Sequence, residues 1–219
     1  MFHDPVDAAQ SDAEWQAFLR DHAFGQLVVA APGGAPFAIP SAYVYRAGEG
    51  KGTLELHLDA RNPVWAALAG APGQRADRAL FSVATDAAFV PSAWNARPGA
   101  DPAWAAPTVY FAAVQVAGPV EIVDEPTELA AILERLLTRV QPDGAIHRVE
   151  AGPTPFGRML GGIRGLRLAV DEVRTRFKVG GDKAAAHRRA IAERMQARGT
   201  DLDRELRAHL LRRLDAEGG

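Results

Sequence analysis

The 219-residue chain has no cysteine. This absence excludes disulfide bonds, a thiolate nucleophile and cysteine-ligated metal or iron–sulfur sites. A long apolar run is missing as well, since no stretch approaches the roughly 18 residues that a membrane-spanning helix requires. The first residues show neither the basic nor the apolar segment of a signal peptide. We therefore expect a cytoplasmic protein without a membrane anchor.

Strong net charge and the familiar catalytic motifs are absent too. The formal net charge is −2, which gives no general attraction to nucleic acid or to an anionic membrane. There is no P-loop, no GxGxxG, no Ser/His/Asp spacing, and no metal-ligand spacing among the histidines. The sequence therefore predicts no metal site and identifies no catalytic residue.

What the chain does contain is apolar sequence with the alternation typical of strands. Apolar residues make up 47% of it, enough for a sizeable core. There is no βαβ alternation, so we expect a mainly β, α+β protein whose six antiparallel strands close into a barrel with peripheral helices. The predicted strands are 24–31, 36–45, 53–58, 78–90, 108–123 and 166–179, and the predicted helices are 11–22, a short one from Pro63, one from Pro126, 183–198 and 201–215.

Two features of the C-terminal third add detail to this prediction. The inward-facing set of the last strand changes phase, which predicts a bulge near Asp171. Leu202, Leu206, Leu210 and Leu214 form one stripe of the final helix, which indicates docking on the barrel or on a partner subunit. We therefore divide the chain into a barrel domain, 1–181, and a C-terminal helical extension, 182–219.

Residues 57–65 lead from a predicted strand into the helix that begins at Pro63. A helix N-terminus presents free N–H groups and a partial positive charge, and both suit a phosphate. Arg61 adds a fork of donors, and Asn62 can both cap the helix and donate. The segment is either a phosphate-binding corner or an ordinary turn with a solvent-facing arginine.

Aromatic residues mark two other predicted strand ends. Trp94 follows one strand, Tyr110 lies at the start of the next, and the loop between them contains Trp104. Such rings can line a flat ligand whose polar edge bonds to Ser92 and Thr108, although strands also bury aromatic residues in cores.

A basic stripe lies on the last predicted strand. Arg174, Arg176 and Lys178 alternate along it and so share one face. They could contact a phosphorylated or acidic ligand, or they could simply face solvent.

Taken in order, these segments resemble the PaiB-like, FMN-binding negative transcriptional regulators. That family belongs to the split-barrel flavoproteins and is related in fold to pyridoxamine-phosphate oxidases and flavin reductases. The resemblance covers nearly the whole chain and rests on seven short elements in register. They are Phe24–Leu27, His57–Trp65, Val90–Trp94, Pro107–Tyr110, Ala117–Glu121, Met159–Gly165 and Phe177–Lys183.

The resemblance implies a split β-barrel of the FMN-binding type that works as a homodimer, with FMN at the subunit interface. It implies a flavin phosphate near Arg61 and Asn62, an isoalloxazine ring near 91–94 and 107–110, and Lys178 close to the same site. DNA binding follows only from the family's name. The cofactor-binding residues expected on this basis are His57, Arg61, Asn62, Trp65, Ser92, Trp94, Thr108 and Lys178.

The chain departs from the family pattern at four places. Ile39–Ala42 stands where a Thr-His-x-Pro run is usual, so the polar contacts expected there are lost. Asn95 and Val109 replace aromatic residues, and Gly180–Asp182 replaces Ser-Gln-Asn.

Three functions fit the sequence. The first is an FMN-binding regulator or sensor without turnover. The second is a flavin-dependent oxidoreductase of the pyridoxamine-phosphate-oxidase or flavin-reductase type, since a flavin itself supplies the hydride chemistry. The third is a degenerate barrel that interacts with other proteins through its C-terminal helices.

Overall fold

The computed structural model describes residues 4–31, 33–69, 77–144 and 146–218. The chain forms two compact units. The terminal unit contains the described residues of 4–12, 84–114 and 174–218, and the central unit contains those of 13–83 and 115–173. No helix among the described residues is long and apolar enough to cross a bilayer.

Eight strands and seven α-helices form the described chain. The strands are β1 (Phe24–Val29), β2 (Phe37–Ala42), β3 (Val44–Arg46), β4 (Thr53–Asp59), β5 (Arg78–Val90), β6 (Thr108–Val123), β7 (Ile163–Ala169) and β8 (Glu172–Lys178). The helices are α1 (Asp12–Asp21), α2 (Val64–Leu68), α3 (Ser92–Asn95), α4 (Pro126–Val140), α5 (Pro155–Met159), α6 (Ala185–Arg198) and α7 (Asp201–Gly218). Short 3-10 turns occupy Pro5–Asp7, Pro102–Trp104 and Leu160–Gly162.

The α+β class is confirmed, but the prediction of six strands in a closed barrel is wrong. The strands form one sheet in the order β2-β1-β5-β6-β7-β4-β3, and β8 pairs with β6 off this path. Five of these pairings are antiparallel: β1 with β2, β1 with β5, β3 with β4, β4 with β7, and β6 with β7. Within the described chain the order ends at β2 and at β3, so the sheet is open.

The strand predicted at 36–45 is two strands because the chain changes partner at Tyr43. Residues before Tyr43 pair with β1, whereas Val44–Arg46 pairs with β4. Tyr43 is fully buried, its N–H donates to the Ala23 carbonyl, and its hydroxyl donates to the Leu19 carbonyl. These contacts, distant in sequence, fix the switch.

The strand predicted at 166–179 is also two strands. β7 ends at Ala169 and β8 begins at Glu172, at the position where a bulge was predicted. Between them, the Val170 N–H donates to the Gly52 carbonyl and the Asp171 N–H to the Ala117 carbonyl. The phase change in the sequence therefore marks a full interruption rather than one extra residue within a strand.

In the terminal unit, helices α6 and α7 share a buried cluster with strand residues. Val90, Tyr110 and Val179 pack with Met195 and Leu210 in this cluster. The predicted leucine stripe is correct for Leu206, Leu210 and Leu214, which are buried, and wrong for Leu202, which is 56% exposed. The division of the chain at 181/182 stays a prediction.

Candidate functional site

In the central unit, the corner after β4 is organised by Asp59. Its carboxylate accepts hydrogen bonds from the Arg61 backbone N–H (2.8 Å), from Nε (3.0 Å) and from Nη2 (2.7 Å). These bonds hold the pKa of Asp59 well below its usual range. The Arg61 side chain is 90% exposed, so the guanidinium is accessible to a ligand although it is already paired.

Asn62 and Trp65 hold the same corner in shape. Asn62 Oδ1 accepts from the Val64 N–H at 3.0 Å and so satisfies one donor at the start of α2. The Trp65 indole is buried, its Nε1 donates to the Asp59 carbonyl at 2.9 Å, and the Arg164 guanidinium lies 5.1 Å from its ring centre. Both residues therefore have a structural part in the predicted phosphate corner.

His57 lies on β4 opposite Gly165 and carries a polar atom without a partner. Its Nδ1 is buried and makes no hydrogen bond within the described structure. Burial lowers the pKa of the imidazole, because the charged form loses its hydration. A ligand donor is one group that could satisfy this nitrogen.

In the terminal unit, the paired strands β6 and β8 line a cleft of about 440 Å³, which we call the Lys178 cleft. Thr108 and Tyr110 are two residues apart on β6, and Arg176 and Lys178 are two apart on β8, so each pair shares a strand face. All four line the cleft. Lys178 Nζ donates to Thr108 Oγ1 at 2.8 Å.

Tyr110 places an unsatisfied polar atom at this cleft. The side chain is 1% exposed, and its hydroxyl has no hydrogen-bond partner among the described residues. Burial, with a smaller contribution from the charge of Asp182, raises the pKa of the phenol well above its usual range. The group is therefore a neutral donor on a residue that lines the cleft.

Four other charged groups of the Lys178 cleft form two ion pairs. Arg176 Nε lies 3.3 Å from an oxygen of Asp7, which is 6% exposed. Burial raises the pKa of the Asp7 carboxyl, and the bond to Arg176 opposes this effect only in part. Lys183 Nζ lies 3.0 Å from Asp182. Partial burial alone would raise the pKa of this carboxyl, but the bond to Lys183, with smaller contributions from other groups, lowers it overall.

Ser92 and Trp94 belong to α3 in the same unit, but neither is among the described residues that line the Lys178 cleft. Trp94 packs against the buried cluster of α6 and α7, and the Arg198 guanidinium lies 4.6 Å from its ring centre. The Ser92 carbonyl accepts from the Ala96 N–H. Their predicted part in holding the flavin ring stays a prediction.

The structure thus joins Thr108 to Lys178 directly, and it groups Arg61, Asn62 and Trp65 around one corner, which follows the strand that carries His57. Sequence reasoning did not single out Tyr110 as a donor, although its spacing of two from Thr108 on a predicted strand places it on the same face. It also missed Asp7, for which the sequence offers no signal, because the pairing with Arg176 spans 169 positions.

Three solved structures share the fold of this chain. The FAD and heme binding protein from Mycobacterium smegmatis aligns with a TM-score of 0.57 at 18% identity, over 84% of this chain and 80% of its own. The flavocytochrome Anf3 from Azotobacter vinelandii aligns with a TM-score of 0.58 at 16% identity, over 79% of this chain and 70% of its own. A conserved hypothetical protein from Mycobacterium tuberculosis aligns with a TM-score of 0.54 at 18% identity, over 81% of this chain and 91% of its own. At these identities the likeness shows the fold alone.

No curated protein matches the sequence significantly. The family model described as "Putative FMN-binding domain" matches residues 1–172, well over half of the 219 residues. The predicted cofactor, FMN, is thereby confirmed. The chain belongs to this family of FMN-binding domains.

Proposed function

We propose that the protein is a homodimeric FMN-binding regulator or sensor of the PaiB type, with the flavin ring edge at the Lys178 cleft. One observation carries this proposal: the Lys178 ammonium and the unpartnered Tyr110 hydroxyl are two donors in one cleft. The ring edge of a flavin offers carbonyl oxygens and a ring nitrogen that accept such bonds. The donor set therefore fits the cofactor of the family.

Each residue has a separate part in this proposal. Thr108 holds the Lys178 ammonium in place, and Lys178 and Tyr110 donate to the ring edge. The family resemblance separately predicts a phosphate contact at Arg61 and Asn62 in the central unit, where Arg61 would exchange part of its pairing with Asp59 for a phosphate. Bound FMN supplies the redox chemistry and the visible absorbance.

The pairing of charges supports sensing rather than turnover. Arg176 is paired with Asp7, and Lys183 with Asp182, so these groups hold the cleft in shape. No histidine lines the Lys178 cleft in the described part of the chain. Paired charges of this kind suit a cleft that binds its ligand in a fixed shape, as a sensor requires.

An absorbance scan tests the FMN site. We expect purified protein, or protein titrated with FMN, to show a shifted flavin band between about 350 and 500 nm. Lys178→Ala and Tyr110→Phe should each weaken FMN binding about tenfold, because each removes one donor to the ring. Arg189→Ala, at an exposed position of α6, is the matched control. A colourless protein that stays so with excess FMN would contradict the proposal.

Regulation itself needs a separate test. A gel-shift assay with promoter DNA should show binding that weakens as salt rises, because protein–phosphate contacts release counterions. Binding that changes when FMN is removed would link the flavin to the regulator. No shift at low salt would leave an FMN-binding protein that is not itself a DNA-binding regulator.

One observation favours flavin-dependent oxidoreduction as a second candidate. A cleft of about 790 Å³ in the terminal unit shares Asn95, Ala106, Asp182 and Lys183 with the Lys178 cleft, which leaves room for a substrate beside a flavin. Steady oxidation of NAD(P)H by the FMN-loaded protein would favour this candidate. Absence of turnover across a panel of acceptors would favour the sensor.

A further inference from the structure

The larger cleft, which we call the Trp104 cleft, has features of a ligand site in its own right. Its volume of about 790 Å³ lies in the range that holds small organic molecules. It lies wholly within the terminal unit, between the loop 95–106 and residues 182–187.

An exposed indole lines one wall of this cleft. Trp104 is 89% exposed. The short 3-10 turn Pro102–Trp104 holds it there, and Asp101 caps that turn by accepting from the Ala103 N–H at 2.9 Å. A flat ring stacked on the indole would remove this apolar surface from water.

A buried acceptor without a partner lines the same cleft. Asn95 Nδ2 donates to the Ala106 carbonyl at 2.7 Å, and this bond fixes which end of the amide is the oxygen. Asn95 Oδ1 is buried and has no hydrogen-bond partner among the described residues. Such an atom is costly unless something donates to it.

His187 adds a second acceptor to the lining. Its Nε2 lies 2.8 Å from the Trp94 carbonyl, which can only accept, so Nε2 carries the hydrogen. In the neutral ring Nδ1 is then an acceptor. The site thus offers acceptors to a ligand that brings donors.

The charges of the lining cancel. Arg97 and Lys183 are balanced by Asp101 and Asp182, and Lys183 is already paired with Asp182 at 3.0 Å. A balanced wall gives no advantage to an anion or to a cation. The ligand that fits is therefore uncharged.

We propose that the Trp104 cleft binds a planar, uncharged aromatic molecule with an N–H donor, which stacks on Trp104 and donates to Asn95 Oδ1. This site adjoins the Lys178 cleft, with which it shares Asn95, Ala106, Asp182 and Lys183, and its ligand is a molecule other than FMN.

Ligand-observed saturation-transfer NMR on the full chain tests the proposal with three matched probes. Benzamide has the ring, no charge and N–H donors; acetophenone lacks the donor; benzoate lacks the donor and carries a charge. We expect benzamide to bind saturably, and acetophenone and benzoate to bind about tenfold more weakly or not at all. Equal binding of all three would overturn the proposal.

Two variants locate the binding. Trp104→Ala removes the stacking surface at an exposed position and should leave the fold intact, and Asn95→Leu removes the acceptor. Each should weaken benzamide binding by about fivefold or more. Leu202→Ala, which trims an exposed side chain of α7, is the matched control. Unchanged benzamide binding in Trp104→Ala, or no benzamide binding by the wild-type protein, would overturn the proposal.

The experiment also separates this inference from the FMN proposal. Benzamide binding is measured with and without saturating FMN, whose own binding is followed by absorbance. Binding of benzamide without binding of FMN would support this inference and contradict the proposed function. Binding of FMN without binding of benzamide would support the proposed function and contradict this inference.

Discussion

At the residue scale, Gly180 is the sharpest constraint on the Lys178 cleft. Its φ of +76° suits glycine, and a Cβ at this position would overlap the Tyr110 hydroxyl. We expect Gly180→Ala to lower the free energy of unfolding by about 2–4 kcal/mol, from backbone strain and steric overlap together. Urea denaturation followed by circular dichroism measures it.

Gly50→Ala is the matched control for this prediction. Gly50 has a φ of +61° with open space at the Cβ position. Gly50→Ala should therefore lower the free energy of unfolding by about 1–2 kcal/mol, from backbone strain alone. Adding Tyr110→Phe to Gly180→Ala should recover part of the loss. If Gly180→Ala and Gly50→Ala cost the same, the close approach to Tyr110 is not what restricts position 180.

The half-buried imidazole of His57 leads to a prediction about how the stability of the fold depends on pH. Because its pKa is lowered in the folded state, the unfolded chain binds the proton more readily below about pH 6.5, the ordinary imidazole value. Stability should therefore fall as pH drops below that value and level off below the lowered pKa. His57→Gln should show a shallower loss between about pH 7.5 and pH 5 in urea denaturation. The exposed His147→Gln variant is the control, and parallel pH curves for wild type and His57→Gln would contradict the assignment.

Some of these site residues could be predicted from the sequence and others could not. Thr108 and Lys178 were expected near one another from the family resemblance, and the structure joins them at 2.8 Å. The unsatisfied atoms of Tyr110 and Asn95 could not be foreseen, because whether a polar atom finds a partner depends on groups packed against it from distant segments.

At the element scale, one buried carboxylate ties together four elements of the central unit. Glu55 of β4 is fully buried and lies 3.2 Å from Arg46 of β3, 2.7 Å from Arg135 of α4 and 3.2 Å from Arg167 of β7. A buried carboxylate is tolerated only where such partners offset its lost hydration.

We therefore expect Glu55→Gln to lower the free energy of unfolding by about 2–3 kcal/mol, because several charge-assisted bonds become weaker. Chemical denaturation at neutral pH measures the loss. Glu121→Gln removes a 62% exposed partner of Arg167 and should cost less than about 1 kcal/mol. Equal costs for the two variants would show that the Arg46, Arg135 and Arg167 contacts add nothing at Glu55.

The elements themselves were predicted unevenly from the sequence. β5 and β6 have the predicted bounds, because long alternation ends there at turn residues. The division of the predicted strand 36–45 at Tyr43 was missed, because an apolar run has the same sequence pattern whether it pairs with one strand or changes partner midway.

At the scale of the whole molecule, the proposed dimer requires an apolar contact surface near the flavin. Val109 directly follows Thr108 on β6 and is 44% exposed, and Phe89 of β5 is 53% exposed. Exposed apolar side chains beside a predicted interfacial cofactor are candidates for burial by a second subunit. Sedimentation velocity should give wild-type protein a mass about twice the 23.4 kDa of one chain.

Val109→Asp tests the dimer and the cofactor site together. A charge buried in a subunit contact without a partner is strongly unfavourable, so this variant should sediment as a monomer. If FMN lies between the subunits, the flavin absorbance of the purified variant should be lost as well. Leu202→Asp, which changes a 56% exposed residue of α7, is the matched control and should remain a dimer with bound FMN. A Val109→Asp monomer that retains FMN would place the whole flavin site within one chain.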